Sequence, residues 1–132
     1  MKNILFFGAS GILGSHWIKD LVKHNKLYVN VHKNKKFFKS NNLYKVKLNL
    51  KEKKNIVSFC EKNNIKIIIN CIAITNVELC EKNPKKTREI NYLIPIMLGK
   101  IAEKLNIQII QISTDMLFDG KSKKKYNEKS KY

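Results

Sequence analysis

The chain has 132 residues and a mass of 15.4 kDa, which is enough for one domain with a hydrophobic core but not for two. Its hydrophobic fraction of 43% is typical of a packed globular protein, and no apolar run approaches the roughly 18 residues that a membrane-spanning helix needs. The net charge of +17 invites a nucleic-acid partner, but only Arg88 among the 27 basic residues is an arginine and the lysines lie in nearly every segment, so this partner is not favoured.

Five short apolar runs predict five β-strands. They cover residues 3–8, 27–31, 43–48, 65–70 and 107–113. Most are nearly continuous, which suits strands covered on both faces of a parallel sheet. Stretches with helical spacing lie at 12–24, 52–63 and 86–105. This alternation predicts a doubly wound α/β domain over residues 1–120, followed by a polar tail at 121–132.

A glycine-rich turn follows the first predicted strand and opens the first predicted helix. Its pattern is G-x-x-G-x-x-G, with Gly8, Gly11 and Gly14. Gly8 permits a sharp turn, Gly11 lets a pyrophosphate approach the backbone, and Gly14 lets the helix pack closely on the strand. The N-terminus of the helix favours the phosphates. In this position the motif predicts dinucleotide binding more strongly than an ordinary turn.

The segment after the second strand indicates which dinucleotide is preferred. An acidic residue there would bind the 2′-hydroxyl of NAD, but no acid occurs between Asp20 and Glu52. His32 and Lys33 open a basic run that suits the 2′-phosphate of NADPH, although NADH remains possible. The alternative is that this run is only a solvated loop. After the third strand, Asn49 could bind adenine or cap the next helix.

Small and polar residues follow the fourth and fifth strands, where ligands of open α/β sheets bind. After the fourth strand these are Cys71, Ile72, Ala73, Thr75 and Asn76, and after the fifth they are Ser113 and Thr114. The three histidines lie in the first third of the chain, and none has a placed carboxylate partner, so no catalytic triad can be assembled. A hydroxyl can instead donate a hydrogen bond to a carbonyl oxygen that gains negative charge.

The cysteines at 60, 71 and 80 fit neither a zinc pattern nor a disulfide framework. Free thiols are typical of a reducing compartment, and the N-terminal segment has no small-residue cleavage site before its glycines. The sequence therefore predicts a cytoplasmic protein without a metal site.

Four motifs, "GASGILGS", "INCIAITNVELCEKNP", "REINYLIP" and "ISTDMLFDG", occur in this order and resemble the extended short-chain dehydrogenase/reductases. The most similar branch is that of the dTDP-4-dehydrorhamnose reductases. The resemblance covers essentially the whole chain and implies the N-terminal half of a Rossmann-type fold. It also implies an NAD(P)-dependent oxidoreductase, a nucleotide-diphosphate sugar substrate and a possible homodimer.

The resemblance assigns roles to matching residues. The pyrophosphate loop is formed by Gly8, Ser10, Gly11, Ile12, Leu13 and Gly14. Asn49 and Leu50 stand where an Asp-Leu pair usually flanks the adenine, and Cys71, Ile72 and Ala73 stand beside the nicotinamide ribose. Asn91 matches a helix asparagine that supports the site. Thr114 matches the hydroxyl that polarises the substrate ketone, with Ser113 beside it.

Four departures from the family pattern limit the expected chemistry. Met116 replaces a tyrosine and Asn49 replaces an aspartate, while Tyr126 and Glu128 match a family "PYxE" turn in which Lys125 replaces the proline. The family's Tyr-x-x-x-Lys, in which the tyrosine gives the proton and the lysine lowers its pKa, does not occur in these residues. The expectation is a reductase of a nucleotide-diphospho-4-keto-6-deoxysugar. The 132 residues by themselves are expected to bind the cofactor without turnover. The alternative is a non-catalytic nucleotide-binding regulatory module of the same fold.

Overall fold

Five parallel strands form one sheet in the computed structural model, which describes residues 1–31, 37–121 and 125–130. The strands are β1 (Asn3–Phe7), β2 (Lys26–Asn30), β3 (Leu43–Val46), β4 (Ile67–Asn70) and β5 (Gln108–Gln111). Their order across the sheet is β3-β2-β1-β4-β5. The chain moves outward from β1 to β3 and then returns to the other side of β1. The strand order thus reverses beside β1, and the predicted parallel α/β sheet is confirmed.

Helices connect these strands. They are α1 (Ile12–Leu21), α2 (Lys53–Lys62), α3 (Val77–Lys82), α4 (Pro84–Arg88) and α5 (Ile94–Leu105). A π-helical turn, Glu89–Leu93, joins α4 to α5, so helical structure runs from Pro84 to Leu105. The predicted start at residue 86 was therefore two residues late. Proline suits the first position of a helix, because the N–H it lacks would have no intrahelical partner there.

The helices cover both faces of the sheet. On one face, α1 buries Ile18 and Val22 against a cluster from β1, β2 and β4. Trp17 packs edge-on against Phe6, with 6.0 Å between the ring centroids. On the other face, α2 and α5 bury Ile56, Cys60, Leu98, Ile101 and Ala102. Because strand side chains alternate between faces, Leu5 and Phe7 join the second cluster whereas Phe6 joins the first.

The expectation that the strands are covered on both faces holds for β1, β2 and β4 and holds only in part for the two edges. Ile109 and Ile110 of β5 pack on opposite clusters but remain half-buried. Tyr44 and Lys45 of β3 are exposed, as are Gln108 and Gln111 of β5. An edge strand of the described sheet has a neighbouring strand on one side only, so its side chains are less completely covered. No helix in the described part of the chain has the length and apolarity needed to span a bilayer.

Candidate functional site

The glycine-rich turn between β1 and α1 packs against the segment that follows β4. Gly8 has φ +82°, and a Cβ there would lie 2.7 Å from the carbonyl carbon of Cys71. A Cβ on Gly14 would lie 2.3 Å from the carbonyl oxygen of Gly8. A Cβ on Gly11 would meet its nearest atom, the same oxygen, at 3.4 Å. Gly8 and Gly14 are thus required for close backbone packing, whereas Gly11 leaves space above the turn.

The backbone amides at the N-terminus of α1 are available to bind an anion. Gly11 is its N-cap residue, no side chain caps the helix, and the first turn contains no acidic residue. The first amides of a helix have no intrahelical acceptor and lie at the positive end of its dipole. Beside them, Ser10 is exposed and Ile12 and Leu13 are apolar but largely exposed. This surface is suited to a ligand with phosphate and apolar parts.

An open cavity of about 1200 Å³ extends from the glycine-rich turn to the start of α4. Its wall contains Gly8, Ser10, Asn30, Val31, Lys47, Leu48, Asn49, Leu50, Lys51, Glu52, Asn55, Ile72, Lys85, Lys86, Glu89, Ile90 and Ile94. It therefore joins the carboxyl ends of β1 to β4, where parallel sheets bind ligands. The cavity is large enough to hold one nucleotide of a dinucleotide or a small molecule of similar size. Gly8, Ser10, Asn49, Leu50 and Ile72 are the predicted site residues that line it.

A hydrogen-bonded bridge from β2 fixes the segment after β3. The Leu48 N–H donates to Asn30 Oδ1 at 2.7 Å, and Asn30 Nδ2 donates to the Leu48 carbonyl at 3.2 Å. One residue on, Asn49 accepts from the Lys51 N–H at 3.0 Å and donates to Glu52 at 2.7 Å. Glu52, not Asn49, is the N-cap residue of α2. Asn49 shapes the turn into α2 and lines the cavity as well.

Cations dominate the polar part of the cavity. Four lysines line it, Lys47, Lys51, Lys85 and Lys86, together with two carboxylates, Glu52 and Glu89. Lys51 Nζ lies 3.2 Å from Glu89 Oε1. Within the described ranges, the other three lysines have no carboxylate within 4.0 Å. The cavity therefore has a positive excess that suits a ligand bearing phosphate groups.

Asn91 fixes the loop after β4. It lies in the π-helical turn, and its side chain accepts from the Ile74 N–H at 2.8 Å and donates to the Ile74 carbonyl at 2.9 Å. π-helical turns are frequent at functional sites because they reorient side chains within a helix. In the same loop, burial raises the pKa of the Cys71 thiol, so the group is neutral at neutral pH. Ala73 and Thr75 are exposed.

Replacing Asn91 by leucine should free this loop. Both bonds to Ile74 are lost, and we expect the dinucleotide affinity to fall about tenfold, because each amide bond contributes on the order of 1 kcal/mol. Asn91→Asp keeps the acceptor and should lose less. Dinucleotide titration of both variants measures the effect, and an Asn91→Leu affinity equal to that of the unmodified chain would rule out this role.

Asn70 was not predicted as a site residue, and it connects the two segments that carry the other candidates. Its side chain is fully buried, and within the described ranges it is the one buried polar residue. Oδ1 accepts from the Ile72 N–H at 3.2 Å, and Nδ2 donates to Gln111 Oε1 at 2.8 Å. Gln111 in turn donates to the Ile112 carbonyl at 2.7 Å. The ends of β4 and β5 are thereby held in register.

Ser113 and Thr114 lie just past β5, beside the end of β4, and do not line the cavity. The Thr114 hydroxyl accepts from the Met116 N–H at 3.2 Å and caps a short 3₁₀ turn, Asp115–Leu117. Its bond to Asp115 is long, at 3.4 Å, so the proton can be redirected to a ligand. The structure places this hydroxyl at the edge predicted for it, separated from the glycine-rich turn by one strand.

Asp119 holds the loop after Thr114. It accepts from the Lys121 N–H at 3.1 Å and from the Tyr126 hydroxyl at 2.8 Å, and these bonds lower the pKa of its carboxyl. The ring of Tyr126 stacks on that of Phe118 at 4.4 Å. The described residues contain no cluster of three potential metal ligands. Two predicted cofactor residues, His32 and Lys33, lie outside the described ranges.

Comparisons with known proteins identify the family. The model of the RmlD substrate binding domain matches residues 1–132. The chain is 28% identical over 121 residues to a probable low-salt glycan biosynthesis reductase of Haloferax volcanii, covering 92% of this chain and 40% of the relative. It is 28% identical over 128 residues to a dTDP-4-dehydrorhamnose reductase of Aggregatibacter actinomycetemcomitans, covering 97% of this chain and 40% of the relative. The chain thus spans about two fifths of the length of these relatives.

Solved structures show the same fold. A hypothetical dTDP-4-dehydrorhamnose reductase from Sulfolobus tokodaii superposes with a TM-score of 0.77 at 29% identity, covering 98% of this chain and 45% of that one. An epimerase from Methanothermobacter thermautotrophicus superposes with a TM-score of 0.82 at 18% identity, covering 96% and 40%. The second likeness concerns the fold alone. Because the family model matches all 132 residues of the chain, the chain belongs to the RmlD substrate binding domain family, the dTDP-4-dehydrorhamnose reductase family that its motifs resemble.

Proposed function

We propose that the chain is the dinucleotide-binding part of an NADPH-dependent reductase that acts on a nucleotide-diphospho-4-keto-6-deoxysugar. The observation that carries the proposal is the glycine-rich turn, which leads into the uncapped N-terminus of α1 and borders a cavity lined by lysines. The two relatives, one named as a probable glycan biosynthesis reductase and the other as a dTDP-4-dehydrorhamnose reductase, support a sugar-nucleotide substrate. Such a protein would serve surface-polysaccharide precursor synthesis.

Each part of the cofactor has residues that fit it. The backbone of Gly8 to Gly14 and the N-terminus of α1 would hold the pyrophosphate. The apolar side chains of Leu50 and Ile90 would cover the adenine, and the loop at Cys71 to Ala73 would face the nicotinamide ribose. Bound NADPH supplies the hydride that reduces the ketone. The Thr114 hydroxyl would donate a hydrogen bond to the ketone oxygen as that oxygen gains charge.

The 132 residues by themselves should bind cofactor without turnover. They contain no Tyr-x-x-x-Lys, so no tyrosine phenol with a lowered pKa is available to protonate the alkoxide. Ketosugar-dependent oxidation of NADPH by this polypeptide would contradict this part of the proposal.

Lys47 should favour NADPH over NADH. It follows β3 directly, and the Val31 N–H bonds to the neighbouring Val46 carbonyl at 2.9 Å, so Lys47 lies beside the end of β2. The 2′-phosphate would meet this ammonium group and the other lysines of the cavity. We expect Lys47→Glu to weaken NADPH binding about tenfold and NADH binding much less, because only NADPH carries the extra phosphate.

Fluorescence titration of both cofactors measures this preference, and Lys45→Glu is the matched control. Lys45 lies on β3, two residues before Lys47, and its replacement makes the same change in charge, but it does not line the cavity. Added salt should reduce the NADPH preference. Equal losses of NADPH affinity in the two variants would show that Lys47 acts only through the net charge of the chain.

A further inference from the structure

The two carboxylates of the cavity have different partners. Glu89 is paired with Lys51 at 3.2 Å. Glu52 has no lysine, arginine or histidine nitrogen within 4.0 Å in the described part of the chain. Its two oxygens instead accept from side-chain amides, one from Asn49 at 2.7 Å and the other from Asn55. Glu52 therefore presents an oriented negative charge that is not neutralised by a cation.

Glu52 lies at the start of α2, where neighbouring side chains hold both of its oxygens. It is the N-cap residue of a ten-residue helix, so the positive end of the helix dipole lies beside its carboxylate. A carboxylate offers about four acceptor positions, and the two amides leave about half of these open to a ligand. Asn49 lies three residues before Glu52 and Asn55 three residues after it, and each donates a hydrogen bond to one carboxylate oxygen. The side chain is thus pre-oriented before any ligand arrives.

The surroundings of Glu52 suit a flat ring that carries an N–H donor. Leu50, Ile72 and Ile90 form an apolar part of the same cavity wall. A phosphate would be repelled by the carboxylate and attracted to the glycine-rich turn and Lys47. A heteroaromatic ring with an exocyclic amine would instead bury its faces against the apolar wall and donate its N–H to Glu52.

We infer that Glu52 is a specificity-determining residue that accepts a hydrogen bond from the exocyclic amine of the adenine in the bound dinucleotide. This inference rests on the proposed function. Asn49 acts as a positioning residue, because its own oxygen is occupied by the Lys51 N–H. A base without the amine, such as unsubstituted purine, would offer no N–H to the carboxylate at this edge and would bind less well.

The test compares NADPH with its purine analogue, in which only the exocyclic amine is removed. Fluorescence titration of the unmodified chain should give about tenfold tighter binding of the adenine form, the gain typical of one charge-assisted hydrogen bond. Glu52→Gln replaces the carboxylate by a neutral amide, which loses the charge-assisted bond to the amine and can donate to a ring nitrogen of either base, and it should bring the affinity ratio to within about twofold of one. Glu52→Asp, which withdraws the carboxylate by one methylene, should lower the ratio as well.

Glu61→Gln is the matched control, because Glu61 is exposed on the same helix, makes the same change in charge when replaced and does not line the cavity. This variant should keep the ratio of the unmodified chain. Thermal unfolding of each variant establishes that it is folded. An unchanged ratio in folded Glu52→Gln would overturn the inference while leaving dinucleotide binding intact. If the unmodified chain bound neither dinucleotide, the proposed function would fail and the inference with it.

Discussion

Gly8→Ala is expected to abolish dinucleotide binding and to destabilise the fold. The new Cβ would lie 2.7 Å from the Cys71 carbonyl carbon, 2.8 Å from its oxygen and 3.0 Å from the Ile72 nitrogen. All three are backbone atoms of a loop that is itself hydrogen-bonded, so they cannot move aside independently. The φ of +82° adds strain for any residue with a Cβ.

We expect Gly8→Ala to lower the free energy of unfolding by about 3 kcal/mol and to weaken dinucleotide binding at least about 100-fold. Gly99→Ala is the control, since a Cβ on Gly99 would meet no atom within 4 Å. Gly99 lies inside α5, where alanine is preferred to glycine, so this variant should be more stable by about 0.5–1 kcal/mol and should bind normally. Chemical denaturation and cofactor titration measure both quantities. Gly8→Ala binding within about threefold of the unmodified chain would show that this turn does not hold the pyrophosphate.

Asn70→Leu should be the second most damaging change. The substitution leaves the Ile72 N–H without its acceptor and ends the bond to Gln111 Oε1, which belongs to an exposed residue and can turn to water. We expect the free energy of unfolding to fall by about 1–3 kcal/mol, because the position of the Asn70 side chain is fully buried and water does not replace the lost acceptor there. The loop at Cys71 to Ala73 should also lose its fixed position, so we expect dinucleotide affinity to fall as well.

Two variants of β5 separate the explanations for this loss. Gln111→Leu removes only the outer partner of Asn70 and should cost less than Asn70→Leu. Gln108→Leu places leucine on the same strand at a position whose side chain has no hydrogen bond among the described residues, so it should have little effect. Urea denaturation gives the free energy of unfolding of each variant. Similar losses in all three would show that the bridge from β4 to β5 contributes nothing specific.

The strands and the glycine-rich turn were predictable because their signals are local. Continuous apolar runs marked all five strands, and the glycine spacing marked the turn to α1. The partial exposure of β3 and β5 could not be read from those runs, since composition does not reveal which strand stands at an edge. The π-helical turn at Glu89–Leu93 was also missed, because helical periodicity does not distinguish one extra residue in a turn.

The cavity itself was only partly predictable. Its wall combines the ends of β2 and β3, the start of α2 and the region of α4, which come together only in the folded chain. Lys85, Lys86 and Glu52 line the cavity but were not among the predicted site residues. Asn70 could have been suspected, because an asparagine at the end of a buried apolar strand needs hydrogen-bond partners.

The most direct test of dinucleotide binding is a titration of the ¹⁵N-labelled chain with NADP⁺, followed through its backbone amide signals. We expect the largest shifts at Gly8, Ser10 and Gly11, with further shifts at Leu50 and Ile72, and we expect all of them to persist in moderate salt. Shifts spread over the exposed lysine-bearing segments, absent from the glycine-rich turn and lost on addition of salt, would show nonspecific attraction of an anion to a basic surface and would contradict the proposed site.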